Sequence, residues 1–396
     1  MAKIADDAYC LIKVETTAGT PVIPTIVAPL VSESMKTNSD YSVDRRMRGI
    51  AWKGQDIVRG YRNHEGEIVV LGDPDTLGHF LNMLMVKGST TGNGTDGYTH
   101  PFTVGNGKSY TIDIKRGTYV QRFFGSYIDE IKIDFDNGQM KITAKIKALG
   151  EFSIGTVGVA LSGAVTSVTL DDEEDIQPNR GLVVGDVINI NGTNVTLTSV
   201  NTNGTQVGFS STSITAAVGT PIYLVPQTLT QPTLSDPFYM GNLLAGVGAT
   251  ASASATAASA RSTATPIYDC SIVIKNNLFA QNGSNYMDPV QIIPRTQEAQ
   301  VQLKQLFQTV VQRQAWQDRV KQAITFVFLG RYIKSDFTTQ EKLTLTFNKV
   351  KLISNDNAIQ VGEMIVDDQS YEVLYDVTDG QAMGATLINK TAGTNY

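Results

Sequence analysis

Residues 130–148 read "EIKIDFDNGQMKITAKIKA", and their alternation decides the fold class. Successive side chains of a strand point to opposite faces, so Ile131, Ile133 and Phe135 share one side while Glu130, Lys132 and Asp134 share the other. Asn137-Gly138 then supplies a two-residue hairpin turn, where both positions tolerate positive φ. After the turn Met140, Ile142, Ala144 and Ile146 return along the apolar side, with Lys141, Thr143, Lys145 and Lys147 opposite. This pattern predicts an antiparallel hairpin with one dry face and one wet face.

The same period recurs outward from that hairpin. Ala8, Cys10, Ile12 and Val14 share a face, and "TPIYDCSIVIKNN" (265–277), "EAQVQLKQLF" (298–307) and "EKLTLTFNKVKLI" (341–353) are further strand candidates. Helices are few. Glu67–Leu71 reads as a short strand, followed by Asp73 at an N-cap and Pro74 at the first helical position. Leu77, Phe80, Leu81 and Leu84 then form one apolar stripe, and Lys87 with Gly88 closes a helix over 74–87. Packing explains every residue of that helix, so it is scaffold. "VVQRQAWQDRVKQA" (310–323) has helical spacing of Val310, Trp316 and Val320.

Two segments interrupt the order. From 155 to 226 the chain turns to Thr, Val, Gly and Asn with frequent turns, which predicts an inserted small all-β domain, either a small barrel or a reduced sandwich. Residues 227–265 read as a linker with a flexible surface loop, because "AGVGATASASATAASARSTAT" (245–265) is low-complexity and too small-sided to pack a core. The larger body is thus expected in two parts, 1–154 and 266–396.

Composition excludes several function classes. The 396 residues carry a formal net charge of −6, so no global basic field attracts nucleic acid. Two cysteines make no disulfide framework, and with no secretory signal read at residue 1 the expected compartment is the reducing cytoplasm. No membrane-length apolar run occurs. His64, His79 and His100 lack metal-ligand spacing. "VGNGKS" (104–109) ends like a phosphate loop, yet the required glycine is replaced by Phe102. The acidic run 171–175 lacks the calcium-loop order and closing glutamate. Nothing pairs a nucleophile with a base, so no catalytic, cofactor or metal residue is assigned.

One stretch resists a purely structural reading. Residues 32–62, "SESMKTNSDYSVDRRMRGIAWKGQDIVRGYR", show no period over about thirty positions and hold seven basic against four acidic residues. Arginines alternate there with Met35, Tyr41, Met47, Trp52 and Tyr61, residue types that interfaces favour. The segment reads as an arm that is disordered until it docks on another subunit, with Arg45, Arg46, Arg48 and Trp52 as the contacts.

The arrangement resembles the tail tube proteins of tailed bacteriophages, also called major tail proteins. The resemblance is carried by "ETTAGTPVIPTIVAPLVSES" after the first strand, the arginine-bearing arm and "RNHEGEIVVLGDPDTLGHFLNMLM". It continues through "YTHPFTV", "FFGSYIDEIKIDF" with its hairpin, and the strands around "LTLTFNKVKLI". It covers most of 1–150 and, more loosely, 235–396; the segment 155–226 departs from the minimal pattern. It implies a mainly β subunit: a tail-tube-type β-barrel or sandwich core with one or two flanking helices. It further implies hexameric rings stacked into a hollow tube around a tape measure protein, with tail terminator and baseplate or tip proteins at the ends. Such a subunit belongs to the virion, is assembled in the host cytoplasm, needs no cofactor and lets double-stranded DNA pass without specific binding. On this reading the polar strand faces line the lumen, with Glu65, Glu67, Glu130 and Asp134 as candidates because Ile68, Val70, Ile131 and Ile133 must face the core. The alternatives are the inner tube of a contractile injection or secretion machine, a virion decoration or adhesion protein, and a β-rich enzyme.

Overall fold

The computed structural model describes residues 8–44, 56–171, 181–201, 205–229, 235–283, 287–306, 311–356 and 365–396. The protein is mainly β. The hairpin of 130–148 is present: strand Tyr119–Asp136 pairs with Gln139–Ala148, placing Ile131 opposite Ala144 and Ile133 opposite Ile142. Asn137 and Gly138 turn it with φ of 50° and 80°, the left-handed values this tight turn requires.

That hairpin lies inside one long antiparallel sheet. From the arm inward its strands run Lys36–Asp44, Asp56–Leu71, Gln139–Ala148, Tyr119–Asp136, Ile267–Lys275 and Glu298–Leu306. It continues through Val366–Val373, Gln340–Asp356, Lys321–Tyr332 and Leu243–Gly248. Gln340–Asp356 also carries Met383–Asn389, which pairs with Gly97–Thr103. The first half of Tyr119–Asp136 turns away to pair with Tyr110–Arg116, which in turn holds Cys10–Val14. Ile68, Ile131, Ile142, Ile272, Val301 and Phe347 meet in one fully buried core, so the alternation of each strand is read out as a single dry face.

Helix α1 spans Pro74–Leu84, and Asp73 caps it, its Oδ1 accepting from the amides of Asp75 at 3.0 Å and Thr76 at 2.8 Å. The expected end at 87 is corrected. Val86 and Lys87 pair as a short strand with Thr103 and Phe102, and the Lys108 amide donates to the Asn82 carbonyl at 2.8 Å. The glycine-rich stretch at 104–109 therefore closes the C-terminal end of α1. A Cβ on Gly107 would stand 2.1 Å from the Met83 oxygen, which is the reason for glycine there.

Three more expectations are corrected. The aperiodic stretch 32–62 contains paired strands, with Lys36 opposite Glu65 and Asp44 opposite Asp56, so its described part is a hairpin of the folded subunit. The low-complexity stretch 245–265 is not a loop over its first part, which belongs to strand Leu243–Gly248 and helix α2, Ala251–Ala257. The helical pattern 310–323 yields only α3, Val311–Gln317, before strand Lys321–Tyr332 begins.

Residues 154–224 build a second core. Its strands follow the order Ile154–Thr156, Pro221–Leu224, Val187–Ile190, Thr193–Val200, Gln206–Ser213, Ala164–Thr169. A bridge between Val157 and Leu170 brings the last strand back to the first. Val168, Ile188, Leu197, Val207 and Ile222 fill it, together with Val120 and Phe152 from the neighbouring strands.

Candidate functional site

Register converts the wet face of the long sheet into an ordered charge pattern. Glu67 stands opposite Lys145, Lys145 opposite Glu130, Glu130 opposite Lys275, and Lys275 opposite Glu298. Five in-register strands thus present acid, base, acid, base, acid in one row. Lys145 Nζ lies 2.8 Å and Lys275 Nζ 3.4 Å from the two oxygens of Glu130. Burial raises the Glu130 carboxyl, but the hydrogen bonds and charges of Lys145 and Lys275 outweigh it and hold the group below the usual carboxylate range. The bond to Glu130 raises Lys145 in turn. Beside the row, Lys132 meets Asp134 at 2.8 Å and Lys147 meets Asp129 at 2.9 Å. Such half-exposed pairs contribute only about 0–1 kcal/mol each. Their effect is on register and on the field the face presents.

All four acids read from the sequence, Glu65, Glu67, Glu130 and Asp134, occupy this face, and their neighbours Ile68, Val70, Ile131 and Ile133 are fully buried beneath it. The lysines that interleave them were visible as outward residues. Their pairing was not, because hydropathy alone does not say that Ile267–Lys275 lies next to Tyr119–Asp136.

The root of the arm is a buried polar cluster. Arg62 grips Asp288 through Nε at 2.6 Å and Nη2 at 2.8 Å, and His64 Nε2 lies 2.9 Å from the same carboxylate. Burial alone would raise the Asp288 carboxyl; the His64 and Arg62 interactions hold it low. On the other side of the His64 ring, Thr37 Oγ1 is 2.8 Å from Nδ1 and donates to Glu151. The cluster joins both arm strands to the loop at 288 and to strand Gly150–Phe152. Further out, Tyr41 and Tyr61 are exposed on the arm. Arg45, Arg46, Arg48 and Trp52 lie outside the described residues.

A family model described as phage tail tube protein matches residues 5–217, more than half of the chain. The chain belongs to that family. The matched range takes in the arm, α1, the hairpin of 119–148 and most of the second core. Tail tube proteins are structural components of the phage tail, and this member is a structural protein of the virion tail. No curated protein matches the chain. Among the described residues no helix is long and apolar enough to cross a membrane, and no His, Cys, Asp and Glu cluster could hold a metal ion.

Proposed function

We propose that the chain is the repeating subunit of a tail tube: six copies close a ring, and rings stack into a hollow conduit around a tape measure protein and later pass the genome. The observation that carries this reading is the alternating charge row on the wet sheet face. DNA sticks to proteins through lysine and arginine contacts that release counterions from phosphates. Here Lys145 stands opposite Glu67 and Glu130, and Lys275 opposite Glu130 and Glu298, and both cations ion-pair with Glu130. The row holds three acids to two bases. Such a face lets DNA slide, and it supports Glu65, Glu67, Glu130 and Asp134 as lumen residues.

The arm is the second element of the proposal. It docks on an adjacent subunit through Arg45, Arg46, Arg48 and Trp52, and its rigid root and exposed tyrosines fit that role. The unit at 155–226 is read as an inserted domain outside the conduit, with terminator and tip proteins closing the ends of the tube assembled in the host cytoplasm. Electron microscopy of purified protein tests the proposal. Stacked hollow rings are expected, with no duplex DNA retained at moderate salt, whereas discrete trimers, persistent monomers or tight salt-sensitive DNA binding would refute it. Replacing the three arginines by alanine is expected to leave a folded protein that does not polymerise.

A further inference from the structure

We propose that Phe337 is a knob that seats in an apolar groove at the far end of a second copy of this chain, joining copies end to end. The inference rests on the tube reading above and names a contact that would propagate it. The turn between strands Lys321–Tyr332 and Gln340–Asp356 exposes Phe337 by 70% and Tyr332 by 47%, their rings edge to face at 5.1 Å. Phe337 also has a φ of 59°, a left-handed backbone that glycine adopts freely and a bulky residue does not. The contact with the half-exposed Tyr332 ring buries little of the side chain, so folding gives a phenylalanine weak support at such a position. Strain of this kind persists where the surroundings enforce it for another purpose.

The surroundings do enforce it. Asp336 Oδ1 accepts from the Thr338 amide at 3.1 Å and its hydroxyl at 2.6 Å. Lys334 Nζ bridges Asp96 at 3.0 Å and Asp336 at 3.3 Å. Below them Ile333 is buried against Gly97, where a Cβ would come within 2.7 Å of its Cδ1. The loop is braced so that the aromatic pair points outward.

A matching groove of about 340 Å³ opens elsewhere, with Leu84, Ile274, Ala299 and Met383 among its lining and Arg295 and Glu298 on its charged rim. Its size suits a buried aromatic anchor. Knob and groove lie at opposite ends of one strand: Gly97–Thr103 begins beneath Ile333 and ends at the groove residue Val104. Seven residues of strand separate them by roughly 20 Å. Met383–Asn389 runs back alongside, from Met383 in the groove to Asn389 opposite Tyr98. The knob therefore cannot reach the groove of its own chain. On the groove rim Arg295 stacks over the Phe279 ring at 4.3 Å and forms no ion pair among the described residues, which leaves its charge open to a carboxylate such as Asp336 beside the knob. A contact between unlike patches on opposite ends does not close on itself and repeats along one direction, as ring-on-ring stacking requires.

Two variants test it from both sides. Phe337→Gly removes the knob and relieves the left-handed strain, so the unassembled protein is expected to melt at the wild-type temperature or above, while the concentration needed for tubes rises tenfold or more, by roughly one hot-spot contact. Ala382→Trp, at a residue that lines the groove beside Met383, fills it from the other side and is expected to leave free rings. Rings of the two variants, formed separately and mixed, have one intact knob and one intact groove between them and should give paired rings but no tubes. If Phe337→Gly elongates at the wild-type concentration, or the mixture gives no paired rings, the contact is wrong and the tube reading stands. If wild-type protein forms neither rings nor tubes, both fall.

Discussion

At the residue scale, the most informative polar group is His79 on the buried side of α1. Its ring is 2% exposed, with Nδ1 3.3 Å from the Tyr110 hydroxyl and the ring of Tyr396 edge to face at 4.7 Å. Gly78 makes room for that tyrosine, since a Cβ there would meet its Cζ at 2.3 Å. Burial pushes His79 from the ordinary 6.5 down to about 4, against a smaller opposing pull from Asp75. Burial lowers His100 as well. The folded state thus binds fewer protons than the unfolded one between these values, so this stability is complete above about 6.5 and is lost as pH falls toward about 4. The expected loss is on the order of 3 kcal/mol. Denaturant unfolding at pH 7 and pH 4 measures it, and His79→Phe, which keeps an aromatic ring beside Tyr396, should flatten the slope. An unchanged slope in that variant would assign the acid sensitivity elsewhere.

At the element scale, the low-complexity segment shows how composition misleads when packing is close. Small side chains at 245–258 looked unable to fill a core, yet they let α2 lie almost in backbone contact with strand Leu243–Gly248. A Cβ on Gly246 would stand 2.1 Å from the Ser254 oxygen, and one on Gly248 2.6 Å from its nitrogen. Ser254 is buried and shares a 2.8 Å hydrogen bond with Thr325 of the adjacent strand. Gly246→Ala should therefore destabilise by about 1–3 kcal/mol through overpacking, whereas exposed Ser252→Ala on α2 should change stability by less than about 0.5 kcal/mol. Thermal unfolding with limited proteolysis across 249–265 checks both, and equal behaviour of the two variants would return the segment to a loop. The arm conceals its strands for a different reason. Thr37, Ser39 and Tyr41 alternate with Lys36, Asn38 and Asp40, so both faces are largely polar and no hydropathy period exists. The strand forms because Asp56–Leu71 offers a hydrogen-bonding edge.

At the scale of the whole molecule, a single arginine ties the two hydrophobic cores together. Arg122 is 1% exposed and bonds Asp113 through Nε at 2.7 Å and Nη2 at 2.8 Å. It also bonds Asp186 at 2.6 and 3.1 Å and the Gly181 carbonyl at 2.9 Å. Asp113 belongs to strand Tyr110–Arg116 beside the main core, while Asp186 immediately precedes Val187–Ile190 of the second. Burial pushes the Asp113 carboxyl up even with the guanidinium beside it, so removal of the cation leaves two buried carboxylates opposed. Arg122→Ala should cost about 3–5 kcal/mol and lower one shared unfolding transition, seen as coincident loss by far-UV and fluorescence probes. A variant in which 155–226 melts alone while the remainder keeps its wild-type midpoint would show that the two cores are uncoupled.

Legible in the residues alone was whatever one strand or one helix can encode: the dry and wet faces of 130–148, the turn at Asn137-Gly138, the cap at Asp73 and the family. These follow from side-chain period and local backbone chemistry. Tertiary structure alone decided which strands became neighbours, and therefore that Glu130 stands between Lys145 and Lys275, that Arg122 faces Asp186, and that residues 243–258 pack instead of wandering. Each of those depends on a contact across 64 or more positions or on the distance between two backbones, quantities that no local period records. The knob at Phe337 and the groove at Arg295 belong to the same class: they lie forty-two positions apart along the chain, and the length of strand Gly97–Thr103 separates them in space.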